Sequence, residues 1–275
     1  DAHQIRAVIV SHLYGRAAQI AAIREICDAN GWLLLEDACQ VPGMTLRPPR
    51  TPAAASEKGR TPAAASEEGQ VSYSGNDEDS PRPAGSFGDA AILSFGGSKP
   101  LSAGAGGALI VGDSRLAARV PALIDRPGEV FPISPLQAAV LLPQWRRLAE
   151  SNQIRHQTAR FLESEVVPKL PRWEWLSDAE SGVEPSYYKV AWMAESAAHR
   201  GRLLEAAQAD MLPLGPGFRS MSACSSRRCD KPVATPRSDG LGEKTVLLDH
   251  RALLLSPDRY GELAEALLRV DKAAA

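Results

Sequence analysis

Charge of one sign is in short supply: 31 Lys and Arg stand against 33 Asp and Glu, a formal net charge of −2. Sequence-independent nucleic-acid binding needs a basic footprint, and this balance gives it no support. Cysteine is scarce as well. The four residues, Cys27, Cys39, Cys224 and Cys229, are too few and too scattered for a disulfide scaffold. Cys224 and Cys229 have no second pair or nearby His to complete a zinc site, so no metal is expected. No apolar run approaches the roughly 20 residues that cross a bilayer, and no charged-then-apolar leader opens the chain. These absences lead us to expect a soluble, cytoplasmic protein with no membrane or nucleic-acid partner. Neither a Walker pattern nor a GxGxxG fingerprint occurs, so the glycines carry no nucleotide-binding reading.

What is present is an ordinary globular composition, 44% hydrophobic and 23% charged over 275 residues, enough for one large domain or two smaller ones. Ala7-Val8-Ile9-Val10 reads as a strand buried on both faces. Its closeness to Asp1, which is not Met, suggests that a domain begins in mid-sheet and that an N-terminal portion is missing. Ile20, Ile23, Ile26 and Cys27 recur at helical spacing, and Asn30-Gly31 supplies a stop. Trp32 to Leu35 forms a second apolar run that ends in Glu36-Asp37. Strand, helix and strand of this size make a βαβ unit with a parallel pair. Ligands sit at the carboxyl ends of such strands, where His12 and Asp37 both fall.

From about 47 to 84 the pattern gives way to low complexity, expected to be a disordered insertion. Within it, residues 50–59 are repeated almost unchanged by residues 60–69. Strand-like sequence resumes at Ala90–Phe95 and Ala108–Val111, and Ser134-Pro135 opens a helix that Pro143 is expected to kink or interrupt. A further helix is expected from about Ser151 to Val166. The last third reads as a smaller α+β domain, with a strand at Tyr187–Met193, a long loop at Met221–Lys244 and a terminal helix. The expected division is a large domain over 1–150 and a small one over 151–275.

Three segments carry the chemistry. Glu36-Asp37-Ala38-Cys39-Gln40 ends one strand with carboxylates. Ser94-Phe95-Gly96-Gly97-Ser98-Lys99 ends another with a hydroxyl and then an amine, and Gly104-Ala105-Gly106-Gly107 allows a tight turn. Together they meet the needs of pyridoxal 5′-phosphate: a Lys for its aldehyde, a carboxylate for its ring nitrogen, and hydroxyls and N–H groups for its phosphate.

With His12-Leu13-Tyr14-Gly15 and Gly85-Ser86-Phe87-Gly88-Asp89-Ala90-Ala91 added, the order and spacing of these blocks resemble the DegT/DnrJ/EryC1/StrS aminotransferases. The resemblance covers roughly the first 165 residues outside the insertion and continues weakly beyond. It implies an α/β fold, PLP-dependent transferase fold type I, with a mostly parallel mixed sheet flanked by helices. It also implies a PLP-dependent aminotransferase that moves an amino group from Glu or Gln to a keto sugar, mostly nucleotide-linked, through a Schiff base on Lys99. Asp37 would pair with the ring nitrogen, Gln40 would touch the ring face or its 3′-oxygen, and Ser94 would bind the phosphate. His12 and Tyr14 would line the site's edge, and a homodimer is expected. Lys99 separates the chain from the family's dehydratases, which carry His there. The family's large domain has further residues ahead of the His-Leu-Tyr-Gly block, and Val130 and Pro132 replace an Asn and an Arg. The alternative reading is therefore a truncated, catalytically inactive relative with a structural or regulatory role.

Overall fold

The computed structural model describes residues 5–46, 81–124, 133–176 and 183–275. The tandem repeat, Val130 and Pro132 lie outside the described residues.

The β-branched run near the start forms strand β1 (Ala7–Ser11), and helix α1 (Ile20–Asn30) leads to β2 (Leu33–Asp37). The two strands pair in parallel with Ala7 opposite Leu33 and Ser11 opposite Asp37. Gly31 ends α1 in the left-handed conformation at φ 69°, its N–H turned back to Asp28 O and Cys27 O, the helix stop that glycine permits without a Cβ clash. A short antiparallel pair, β3 (Thr45–Leu46) and β4 (Arg82–Pro83), follows. Next, β5 (Ala90–Ser94) adds in parallel to β2, and β6 (Gly107–Val111) folds back antiparallel on β5. The sheet order is β1-β2-β5-β6, parallel except for its last strand.

The first apolar run is packed on one side only. Val10, Leu34 and Ala91 are buried, whereas Ile9 is 71% exposed and Leu33, Ile92 and Leu109 are about half exposed. An apolar run shows that both faces of a strand are apolar; it does not supply a second packing layer. Leu34→Ala is therefore expected to cost about 2–5 kcal/mol, and Ile9→Ala no more than about 0.5 kcal/mol, read as shifts in the urea midpoint at constant m.

Helices α2 (Ser114–Ile124) and α3 (Pro135–Arg146) follow. Ser134 caps α3 reciprocally with Gln137: the Gln137 N–H donates to Ser134 Oγ at 3.3 Å, and the Ser134 N–H donates to Gln137 Oε1 at 2.9 Å. Pro143 sits inside α3, and the break comes at Arg147, before α4 (Leu148–Phe161). The Gln144 side chain donates to Val140 O at 2.9 Å and Ser102 O at 2.8 Å, so side-chain bonds reinforce the stretch that contains the proline.

The chain divides into two compact units, Asp1–Leu13 with Ala17–Arg146, and Tyr14–Arg16 with Arg147–Ala275. In the second unit, α4 runs on through a wider turn at Leu162–Val166. The strands β7 (Trp173–Trp175), β8 (Lys189–Ala194), β9 (Leu214–Pro216) and β10 (Thr245–Asp249) then form an antiparallel sheet in the order β7-β8-β10-β9. Its core gathers Trp192, Leu203, Leu248 and Leu267, with Trp173 and Trp175 both edge-on to Trp192. The helices are α5 (Ala197–Ala209), α6 (Pro236–Lys244) and α7 (Tyr260–Ala273). The expected long loop thus contains α6, a helix whose Gly240 and Gly242 suppress the propensity signal. Tyr187, expected to open a strand, has φ 48° and stands before β8, which begins at Lys189.

The tripeptide Tyr14–Arg16 is built into this second unit. Gly15 has φ +87°, and a Cβ there would lie 2.5 Å from Tyr188 N; no other residue fits so close an approach.

Candidate active site

Parallel pairing brings the carboxyl ends of β1, β2 and β5 to one edge of the first sheet. Asp37 is the last residue of β2 and sits opposite Ser11, the last of β1, and Ile92 of β5. Two residues beyond Ile92, Ser94 lies on the same face as Asp37 by strand alternation. The following turn is closed by Lys99 N–H donating to Gly96 O at 3.0 Å. Gly104 and Gly106 then return the chain at φ 78° and 100°, and a Cβ on Gly107 would lie 2.5 Å from Leu93 O.

Asp37 is a half-buried carboxylate with a donor on each oxygen. The Ser11 hydroxyl donates to Oδ2 at 2.9 Å and the Cys39 N–H to Oδ1 at 3.1 Å. Burial works to raise its pKa, but hydrogen bonds from the Cys39 thiol and N–H and from Ser11, with the charge of Lys99, outweigh it and hold it below the ordinary aspartate value. The same neighbourhood pushes the Cys39 thiol up to about 12, through burial first and then the hydrogen bond and charge of Asp37. Cys39 is thus held as a thiol, not a thiolate nucleophile.

One residue earlier, alternation turns Glu36 the opposite way, into the interior. Its carboxylate accepts from Gly85 N–H at 2.6 Å, Phe87 N–H at 3.0 Å, Gly88 N–H at 3.2 Å and the His12 ring at 2.9 Å. Because His12 Nδ1 accepts from the Ala18 N–H at 3.0 Å, the ring proton facing Glu36 is on Nε2. Burial favours the neutral acid, but these hydrogen bonds outweigh it and hold the Glu36 pKa below the ordinary value. Glu36 thereby fastens the Gly85–Gly88 segment to the end of β2.

The sheet edge thus collects Asp37, Ser94 and Lys99, with Lys99 near enough for its charge to act on both Asp37 and Cys39. Gln40 is buried three residues beyond Asp37. His12, expected at the site's edge, is fully buried with both ring nitrogens engaged. Tyr14 belongs to the second unit, where its hydroxyl accepts from Phe218 N–H at 3.1 Å and its ring stacks on Phe218. Two residues without an assigned role in the sequence reading prove to brace these strand ends: Ser11 binds Asp37, and Glu36 binds His12 and the Gly85–Gly88 segment. The signal for both was alternation: Ser11 and His12, like Glu36 and Asp37, face opposite sides of their strands.

A family model, that of the DegT/DnrJ/EryC1/StrS aminotransferase family, matches residues 2–261. The chain belongs to this family. It is 29% identical over 179 residues to an L-glutamine:2-deoxy-scyllo-inosose aminotransferase of Streptoalloteichus tenebrarius, covering 57% of this chain and 34% of that protein. A protein of the same description from Streptomyces kanamyceticus is 25% identical and matches 96% of this chain and 64% of its own length. The chain therefore spans less than two-thirds of either relative. Among solved structures, DesI in the presence of its TDP-sugar product superposes with a TM-score of 0.71 at 22% identity, covering 98% of this chain and 63% of DesI. The fold is the α/β fold type I of PLP-dependent transferases.

The donor set fits pyridoxal 5′-phosphate. A carboxylate kept ionised suits a ring N–H, the Lys99 amine suits an aldehyde, and Ser94 offers a hydroxyl for a phosphate. Among the described residues, no group of three or more His, Cys, Asp or Glu side chains is placed to hold a metal ion, and no helix is long and apolar enough to cross a membrane.

Proposed function

We propose that this chain carries the cofactor end of an aminotransferase that moves an amino group from glutamine or glutamate to a ketone on a sugar or cyclitol ring, nucleotide-linked or free. The observation that carries the reading is the gathering of an ionised Asp37, Ser94 and Lys99 at one sheet edge. When bound, pyridoxal 5′-phosphate supplies the aldehyde that holds the amino group in transit and the ring that takes up the electrons of the broken C–H bond.

Asp37 would hold the ring nitrogen's proton by charge and hydrogen bond, Ser94 would bind the phosphate, and Gln40 would contact the ring or its 3′-oxygen. Lys99 would hold the cofactor through its amine and, when that amine is free, its Nζ would take the proton from the donor's Cα, acting as base and then as acid. The relatives named for glutamine and 2-deoxy-scyllo-inosose support that donor and a cyclic ketone, and DesI, named for a TDP-sugar product, supports a nucleotide-linked one.

A homodimer is part of the proposal. Helix α3 leaves Leu136, Val140, Leu142 and Trp145 exposed, the apolar surface that a second copy would cover. A cytoplasmic setting follows from the biosynthetic role.

The test is direct. The chain is supplied with pyridoxal 5′-phosphate, L-glutamine and either 2-deoxy-scyllo-inosose or a TDP-keto sugar, and the products are read by mass spectrometry. Appearance of the ring amine from one ketone is expected. A cofactor-loaded protein that aminates neither ketone would overturn this reading and leave a catalytically inactive relative.

A further inference from the structure

We propose that Ser11 is the positioning residue that fixes the orientation and ionisation of Asp37. The proposal rests on the reading of Asp37 as the carboxylate that meets the cofactor's ring nitrogen, and it concerns a residue on a different strand.

Three observations carry it. The parallel register of β1 and β2 sets Ser11 directly opposite Asp37, so the hydroxyl arrives from the neighbouring strand and not from a mobile loop. The Ser11 Oγ donates to Oδ2 at 2.9 Å while the Cys39 N–H donates to Oδ1 at 3.1 Å. With one donor fixed on each oxygen, rotation of the carboxylate about its terminal torsion, otherwise broad, would break two hydrogen bonds together. The register itself is pinned from the other face of the same strand ends, where buried Glu36 binds His12 at 2.9 Å. Ser11 and His12 therefore divide the work by strand alternation, one face securing the strands and the other aiming the carboxylate.

The consequence is chemical. An acceptor for a ring N–H must be an anion with a lone pair left free and pointed at the ring. Ser11 and the Cys39 N–H occupy one acceptor position on each oxygen, and a carboxylate offers about four, so free lone pairs remain. Hydrogen bonds to the charged form favour it over the acid, which matters here because burial pulls Asp37 towards the neutral form. The other titratable groups acting on Asp37 are Cys39, through its thiol, and Lys99, through its charge. Neither can replace Ser11. The thiol is a weak donor that is also directed at Ile92 O, 3.7 Å away, and Lys99 is the residue committed to the cofactor's aldehyde.

The experiment uses the full 275-residue chain as wild type, Ser11→Ala, Ser11→Thr and Asp37→Ala. Ser11 is exposed, so its alanine variant is expected to fold. The Asp37 carboxyl is titrated by 13C NMR without cofactor, and pyridoxal 5′-phosphate affinity is measured separately by absorption. Ser11→Ala should move the Asp37 midpoint upwards and weaken cofactor binding by about tenfold, the scale of one hydrogen bond to a charged group. Ser11→Thr, which keeps the hydroxyl, should restore both. An Asp37 titration in Ser11→Ala that superposes on the wild type overturns the role of Ser11. Cofactor binding by Asp37→Ala as tight as by the wild type overturns the underlying assignment of Asp37 instead.

Discussion

Lys99→Ala is expected to abolish covalent attachment of pyridoxal 5′-phosphate entirely: no visible band on cofactor addition, and no label retained on the chain after borohydride reduction and denaturation. The reason is chemical and not conformational. Lys99 sits on the turn after β5, its N–H closing onto Gly96 O at 3.0 Å, a backbone bond that alanine keeps, so the turn should persist. Amino transfer, measured under the conditions proposed above, should fall by at least the ~10²–10⁴-fold that a positioned acid–base group supplies. Arginine should not restore the label, since its guanidinium stays protonated and cannot condense with an aldehyde. Loss of the amine also removes the positive charge that helps lower the pKa of Asp37 and of Cys39. Alkylation of Cys39 in the mutant should therefore be slower than in the wild type without cofactor, an independent readout of the neighbourhood. A labelled peptide from the alanine variant at any other lysine would remove Lys99 from the proposed role.

The second large effect is on stability. Glu36→Ala takes the acceptor away from three backbone N–H groups and the His12 Nε2–H in a buried setting. Breaking a buried charged network on one side costs about 3–5 kcal/mol, a large part of a typical domain's net stability. Glu36→Gln, which keeps the shape and one carbonyl acceptor, should fall between alanine and the wild type. The pH dependence follows from the direction of the shift. The folded-state pKa of Glu36 lies below its ordinary value of 4.5, so the stability it contributes is fully present above that value. It is lost as the pH falls through the lower folded-state value. Asp37, also lowered, acts in the same direction. Urea midpoints recorded from pH 6 down to acid should therefore fall steeply for the wild type and less steeply for Glu36→Gln. Equal acid slopes for the two proteins would show that Glu36 is not the group responsible.

Much of the carboxyl edge of the first sheet was legible in the sequence. Local spacing marked β1, α1 and β2, because a β-branched run, a helical repeat and an Asn30-Gly31 stop each express short-range sterics. The strand-helix-strand order then required a parallel pair, which sends the ends of both strands to one edge. The carboxylate, hydroxyl and amine could be located at that edge in one dimension because each lies within a few residues of a strand end. Other features depended on partners that spacing does not reveal. Pro143 was expected to kink or interrupt its helix, and α3 runs on past it to Arg146, with Gln144 bonding to Val140 and to Ser102, more than forty residues away in sequence. Helix α6 was hidden by its two glycines.

His12 marks the boundary most sharply. Its position after β1 was plain, and a histidine at a strand end invites a role in catalysis. Only the register of β1 on β2 reveals that alternation turns it inwards to Glu36 and leaves Ser11 to face Asp37. Tyr14 is a similar case: two residues from His12 in the chain, it is built into the second unit through Phe218 and the close approach of Gly15 to Tyr188. By itself, then, the sequence determined β1, β2, β5 and β6, the parallel pairing of β1 with β2 and the residue types at the strand ends, since these depend on backbone sterics and local periodicity. Which side chains face one another, and which carboxylate is braced and which is buried, was decided only by tertiary pairing, because hydrogen bonds between residues 24 to 52 positions apart exist only once the strands have met.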